Sequence, residues 1–281
     1  MHLRGAVEMY RSAMGGDQQH AKHTEEAQVI IRSSVQLQGE GAELCENVSS
    51  MRFMSSAVLW LDIIGSITEG TEPRLLSIDM DLGPESGTRL DEVMGCQNLV
   101  MNQIARIAAL QATVTGTGRS SELDEQIVDI QNALRRAEQQ AMTLMHEPHE
   151  PQRRANETTA KVTQFFSLAA GIYLHLITDG FEDSYALQQL TTQVIIYMRT
   201  QITADLIAGL VCPLFIVGCA VYGHDDQELL RETLSSYQFL DPLFRHRAKL
   251  LPILEEIWNE RLLEGYSWSN VVQLTHDILL I

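Results

Sequence analysis

An all-α fold is the architecture the sequence predicts, and three observations predict it. Apolar residues recur at three- and four-residue steps in several long windows, the spacing that places them on one face of a helix. No pair of alternating apolar runs flanks an Asn-Gly or Asp-Gly turn, so the commonest hairpin signal is missing. Residues 206–223, LIAGLVCPLFIVGCAVYG, carry no charge in a chain of formal net charge -17. A membrane span needs about 20 consecutive apolar residues. This run is interrupted by Gly209, Pro213 and Gly218, is closed by Asp225 and Asp226, and has no flanking Lys or Arg cluster. It therefore reads as a helix enclosed by protein. A helix apolar on every side must be wrapped by others. The expectation is a compact multi-helix domain around this central helix, with an internal apolar cavity beside it and no membrane span.

The elements follow in order. Residues 98–112 form a stripe with Val100, Ile104, Ile107 and Ala108 on one face. Leu123, Ile127, Ile130, Leu134, Ala137, Ala141 and Leu144 make a long amphipathic helix, with Ser121 and Asp124 as a capping pair and Pro148 and Pro151 beyond its end. Residues 159–177 contain FFSLAAGIYLHLI, apolar enough to be central. Residues 187–202 continue the pattern through Leu190, Val194, Tyr197 and Met198. After the uncharged run, Asp225 and Glu228 offer a second capping pair, and Asp241-Pro242 places a cap residue before a proline in the first turn. Leu250, Leu254, Ile257 and Trp258 define the next stripe, which Gly265 is expected to close. Residues 69–91 and 146–158 read as loops.

The 281 residues, 45% of them hydrophobic, are enough for a sizeable core and read as one domain over 1–281. The 37 acidic residues against 20 basic ones argue against nucleic-acid binding by this chain itself, because phosphate contacts dominate that affinity. Cys45, Cys96, Cys212 and Cys219 form no CxxC pair, and no signal peptide is evident, which points to a nuclear or cytoplasmic setting. His20 with His23 and His146 with His149 lack thiol or acidic company at metal-binding spacing. No nucleotide fingerprint, P-loop or GxSxG elbow occurs; Gly116-Thr117-Gly118 reads as a plain loop. No metal and no cofactor is expected.

Four segments carry a family pattern. They are WLDIIGSITEG (60–70), LDEVMGCQNLVMNQIARIAAL (90–110), AAGIYLHLI (169–177) and a C-terminal block from CPLFIVGCAV (212–221) through LPILEEIWNERLLEG (251–265) to SWSNVV (267–272). In this order they resemble the C-terminal regulatory domain of fungal binuclear zinc-cluster transcription factors, in the branch that includes the sterol-responsive regulators. The resemblance covers roughly residues 50–281. It implies an all-α domain with an apolar cavity, a small lipophilic effector (sterol-, terpenoid- or polyketide-like) and coupling to transcription. The family's six-cysteine zinc cluster has no counterpart here. The chain is accordingly expected to be either part of a longer regulator or a stand-alone derivative of one.

On this reading the ligand is bordered by Trp60, Phe166, Cys212, Phe215, Ile216, Cys219 and Trp258. An alternative is a cofactor-independent enzyme of fungal secondary metabolism, a cyclase, isomerase or dehydratase using Asp62, Tyr173, His175 and Tyr197 as acid, base or orienting groups. Each has a plainer reading. Asp62, in an apolar segment, could partner a helix end or an arginine. His175 could be a core histidine bonded to a backbone carbonyl. The cysteines could be simple packing. A third possibility is a structural partner that pairs with a full-length regulator through the stripe at 121–145 and dampens it; the plainer reading is that this stripe faces the chain's own core. A homodimer is a further expectation, with no surface assigned to it. Arg245, His246, Arg247 and Lys249 form the only compact basic patch and read as a solvated helix face.

Overall fold

Helices build the protein because its apolar residues fall at helical spacing and its turns are marked by cap residues. A computed structural model describes residues 42–75, 88–114, 121–145, 153–182, 184–276 and 278–281. Among them are eleven α-helices and one 3-10 helix, and no strand. The α-helices are α1 (Ala42–Glu69), α2 (Leu90–Met94), α3 (Asn98–Val114), α4 (Ser121–Met145), α5 (Arg153–Thr178), α6 (Tyr185–Gln201), α7 (Ala204–Ile207), α8 (Val211–Ala220), α9 (His224–Leu234), α10 (Leu250–Glu260) and α11 (Trp268–Thr275). The 3-10 helix, Pro242–Lys249, leads into α10.

The hub is α5, which packs against α3, α4, α6 and α8. It is long and apolar enough to cross a membrane by length and composition, yet 83% of its most apolar window is buried inside the protein. The amphipathic stripe of α4 buries Ile127, Ile130, Leu134, Ala137 and Ala141. Because α4 spends this face on α5 and α3, the stripe is not a free surface for a second chain.

The uncharged run is not one helix. It is divided into α7, a turn at 208–210 and α8, all ten of whose residues are buried. Gly218 sets how closely α8 meets α10. A methyl group built there would lie 2.6 Å from Leu254 Cδ1, so only hydrogen fits.

Other expectations shift at the element ends. The expected loop at 146–158 gives way to α5 from Arg153 onward. Ser121 is already inside α4. The N-cap of α9 is Gly223, and Glu228 pairs instead with Arg231 at 3.1 Å. Asp241 does cap, accepting from Leu243 N at 2.8 Å with Pro242 next, but the helix it opens is 3-10. α10 ends at Glu260, and Gly265 (φ 81°) turns the chain toward α11 instead. The histidine pairs 20/23 and 146/149 and the 116–118 glycines lie outside the described residues.

Candidate functional site

The uncharged segment is held at both ends by buried arginines from the C-terminal third of the chain. Arg247 is 5% exposed. Its Nη2 donates to Ala208 O at 2.9 Å, its Nη1 to Phe239 O at 3.3 Å and its Nε to Ile281 O at 2.9 Å. Phe244 and Phe239 lie under its guanidinium at 4.4 and 5.6 Å. Burial holds its pKa below the usual arginine value. The expected solvated basic face is thereby corrected: Arg247 is interior, because its planar fork satisfies three carbonyls at once, while Arg245 and Lys249 stay exposed. Arg261 serves the other end of α8. Nη1 donates to Cys219 O at 2.9 Å, Nη2 donates to Val221 O, and the group stacks 3.7 Å above Tyr222. Trp258 Nε1 donates to Gly218 O at 2.8 Å. These donors satisfy carbonyls that a helix end leaves open, and cations there suit the helix dipole.

Beside α8 lies a cluster of aromatic rings from distant parts of the chain. Tyr173 on α5 meets Trp268 at 5.0 Å. Phe181 stacks on Trp268 at 6.2 Å and receives Tyr266 edge-on at 5.2 Å. The Tyr173 hydroxyl donates to Gln111 Oε1, and the Tyr222 hydroxyl donates to Phe181 O. Burial raises the titration of both Tyr173 and Tyr266; Cys212 is near enough to add to the first and Cys219 to the second. Trp268 is 4% exposed, yet among the described residues its Nε1 has no hydrogen-bond partner, and neither does the Tyr266 hydroxyl. A buried donor without an acceptor costs about 1–3 kcal/mol, so this pair of polar groups stands out in an otherwise apolar cluster. Ser267 N donates to Asn270 Oδ1 at 2.9 Å, which fixes the start of α11 and so aims the Trp268 ring inward.

The residues singled out from sequence are placed as follows. Tyr173, Cys212 and Cys219 come together around this cluster. Phe166, Phe215 and Ile216 are buried in the wider core, and Trp258 is taken by Gly218. Trp60 lies half-buried on α1, with Nε1 unpartnered among the described residues. Asp62 accepts from Leu75 N at 2.9 Å and Arg74 N at 3.3 Å, tying α1 to the turn that follows it. Burial raises the Asp62 carboxyl above its usual value despite those bonds. His175 faces the start of α6, with Ser184 Oγ at 3.3 Å and Asp179 at 3.5 Å, so its partners are side chains and not a carbonyl. Tyr197 donates to Lys161 O at 3.4 Å, about 18 Å along α5 from Tyr173 at 1.5 Å per residue. Asp62, Tyr173, His175 and Tyr197 thus keep separate partners and form no shared constellation. Trp268, Tyr266, Phe181 and Gln111 were not marked by sequence. Only Trp268 carried a signal, its place in the SWSNVV segment.

A model of the fungal specific transcription factor domain matches residues 7–281, wider than the stretch from about residue 50 that carries the sequence resemblance. The chain is 33% identical over 292 residues to pestheic acid cluster transcriptional regulator 3 of Pestalotiopsis fici, covering 99% of this chain and 52% of that protein. It is 25% identical to transcription factor ntnD of Nectria sp, covering 76% of this chain and 37% of the relative. It is 21% identical to the trichothecene biosynthesis transcription regulator TRI10 of Fusarium sporotrichioides, covering 77% and 50%. The chain therefore spans about half, or less, of the length of these curated relatives. No solved structure matches it. A family model matched over residues 7–281, and a relative one-third identical across 99% of this chain, make it a member of the fungal-specific transcription factor domain family.

Proposed function

We infer that this chain is the effector-responsive regulatory part of a regulator of a fungal biosynthetic gene cluster, acting in the nucleus. Two of the relatives carry such a role in their names, one for a pestheic acid cluster and one for trichothecene biosynthesis. The effector is a small lipophilic molecule with a hydrogen-bond acceptor, seated against Tyr173, Phe181, Tyr266 and Trp268. The observation that carries this reading is the buried Trp268 indole N–H, without an acceptor among the described residues and set among aromatic rings. A ligand carbonyl or ether would accept from it and from the Tyr266 hydroxyl. The mechanism is population shift: an effector that prefers one packing of α11 against α5 and α10 stabilises that packing.

The test is a thermal-shift screen of sterols, terpenoids and polyketides, followed by recovery and analysis of each hit. The expected outcome is stabilisation by a compound recovered unchanged, and loss of that stabilisation in Trp268→Phe, which keeps a smaller aromatic ring and removes the donor. A compound recovered altered would favour the enzyme reading. A full thermal shift retained in Trp268→Phe would remove this site from consideration.

A further inference from the structure

The segment between α9 and α10 has a composition unlike the rest of the molecule. From Thr233 to Leu254 the chain holds one acid, Asp241, against Arg245, Arg247 and Lys249, in a protein of net charge -17. Three large apolar side chains in this segment point to solvent: Tyr237 is 84% exposed, Leu240 39% and Leu243 85%. Asp241 is engaged locally, accepting from Leu243 N. Arg247 is turned inward onto carbonyls, which leaves Arg245 and Lys249 as the exposed cations, and no ion pair involves either among the described residues. The segment is well supported from beneath. Phe239 is fully buried and Arg247 anchors the 3-10 helix, so the exposed side chains sit on a fixed frame.

From this arrangement we propose that the surface formed by Tyr237, Leu240, Leu243, Arg245 and Lys249 docks an acidic amphipathic peptide segment of a partner protein. The apolar trio supplies area that such a segment can cover, and the two cations supply the complementary charge. An anionic lipid surface is the poorer fit. It would extend beyond the patch and meet the acidic excess carried elsewhere on the molecule, whereas a short peptide occupies the patch alone. This docking is independent of the effector site and does not require it.

The test uses the full chain and a fluorescently labelled synthetic peptide of interspersed Asp, Glu, Leu and Phe, read by anisotropy. Binding is expected to weaken with added salt, because exposed charges are screened. It is expected to fall about tenfold or more in Tyr237→Ser/Leu243→Ser, from the loss of apolar contact, and several-fold in Arg245→Glu/Lys249→Glu. All four positions are exposed, so the unfolding midpoints of these variants should match the parent. Leu262→Ser/Leu263→Ser, which alters a separate exposed apolar pair (76% and 63%), should leave binding unchanged. The proposal is overturned by equal binding of a peptide with Ser in place of Leu and Phe, by variants that bind like the parent, or by the patch binding phosphatidylserine vesicles in preference to the peptide.

Discussion

Gly218 shows how a single missing side chain sets a helix crossing. It lies within a fully buried helix, where glycine costs about 0.5–1 kcal/mol relative to alanine. That cost is tolerated because Leu254, itself fully buried, occupies the space a Cβ would need. Gly218→Ala should therefore destabilise by about 1–3 kcal/mol in urea unfolding, through overpacking. Gly209→Ala, with its nearest neighbour at an ordinary 3.6 Å, should be close to neutral. Asp62 gives a pH test. Its folded carboxyl is raised above the unfolded value, so the folded state binds the extra proton in the window between the two. Its contribution is fully present below the usual carboxylate range and is lost as pH rises through the raised value. Asp62→Asn should flatten this part of the stability profile, measured by urea unfolding from acidic pH to neutrality. A fall of the same size in the variant would assign the pH dependence elsewhere, with the half-buried Glu138 as the next candidate, since desolvation raises it too.

At the scale of elements, α8 illustrates how an uncharged helix is held by charged residues far away in sequence. Its side chains bury readily, at roughly 1.5–3 kcal/mol for each large apolar one. The polar problem lies at its C-terminal end, at the carbonyls of Cys219 and Val221, and in the turn before it, at the carbonyl of Ala208. Arg247 and Arg261 supply the donors. Hydrogen bonds to a charged group contribute about 1.5–3 kcal/mol each, and a buried acceptor left open costs about 1–3 kcal/mol. Arg247→Met should lower stability by about 3 kcal/mol or more in urea unfolding. Arg247→Lys should recover only part of it, because an ammonium cannot reach three carbonyls in the guanidinium's fork. An Arg247→Met variant as stable as the parent would show that the turn at 208–210 holds itself.

Across the whole molecule, the effector reading and the fold are linked through α11. This helix touches α1 and α10, and its first residue, Trp268, meets α5 through Tyr173. On the proposed reading, a ligand at Trp268 would touch the start of α11 and Tyr173 on α5, and its binding energy would bear on the packing of α11 against α1 and α10. At a hundred times its Kd an effector adds about 2.7 kcal/mol. For a chain of this size each kcal/mol moves Tm by about 2–4 °C. The effector of the thermal-shift screen should accordingly raise Tm by several degrees at saturation. Local hydrogen exchange should slow most around α11 and the segment that precedes it.

Helix periodicity made α3, α4, α6 and α10 legible, because each presents one apolar face and one polar face. It did not mark α1, whose buried Leu59, Leu61, Ile63, Ile64 and Ile67 crowd its C-terminal half without a clear stripe. It also joined α7 to α8, since the turn between them, Ala208-Gly209-Leu210, carries no polar side chain to mark it. What the amino-acid order determined by itself is the all-helical class, the interior burial of residues 211–220 and the family pattern, because these follow from local spacing and composition. What only the tertiary structure decided is which helix is the hub, which arginines are interior and which aromatic rings meet, because those depend on groups tens of residues apart being brought within a few ångströms.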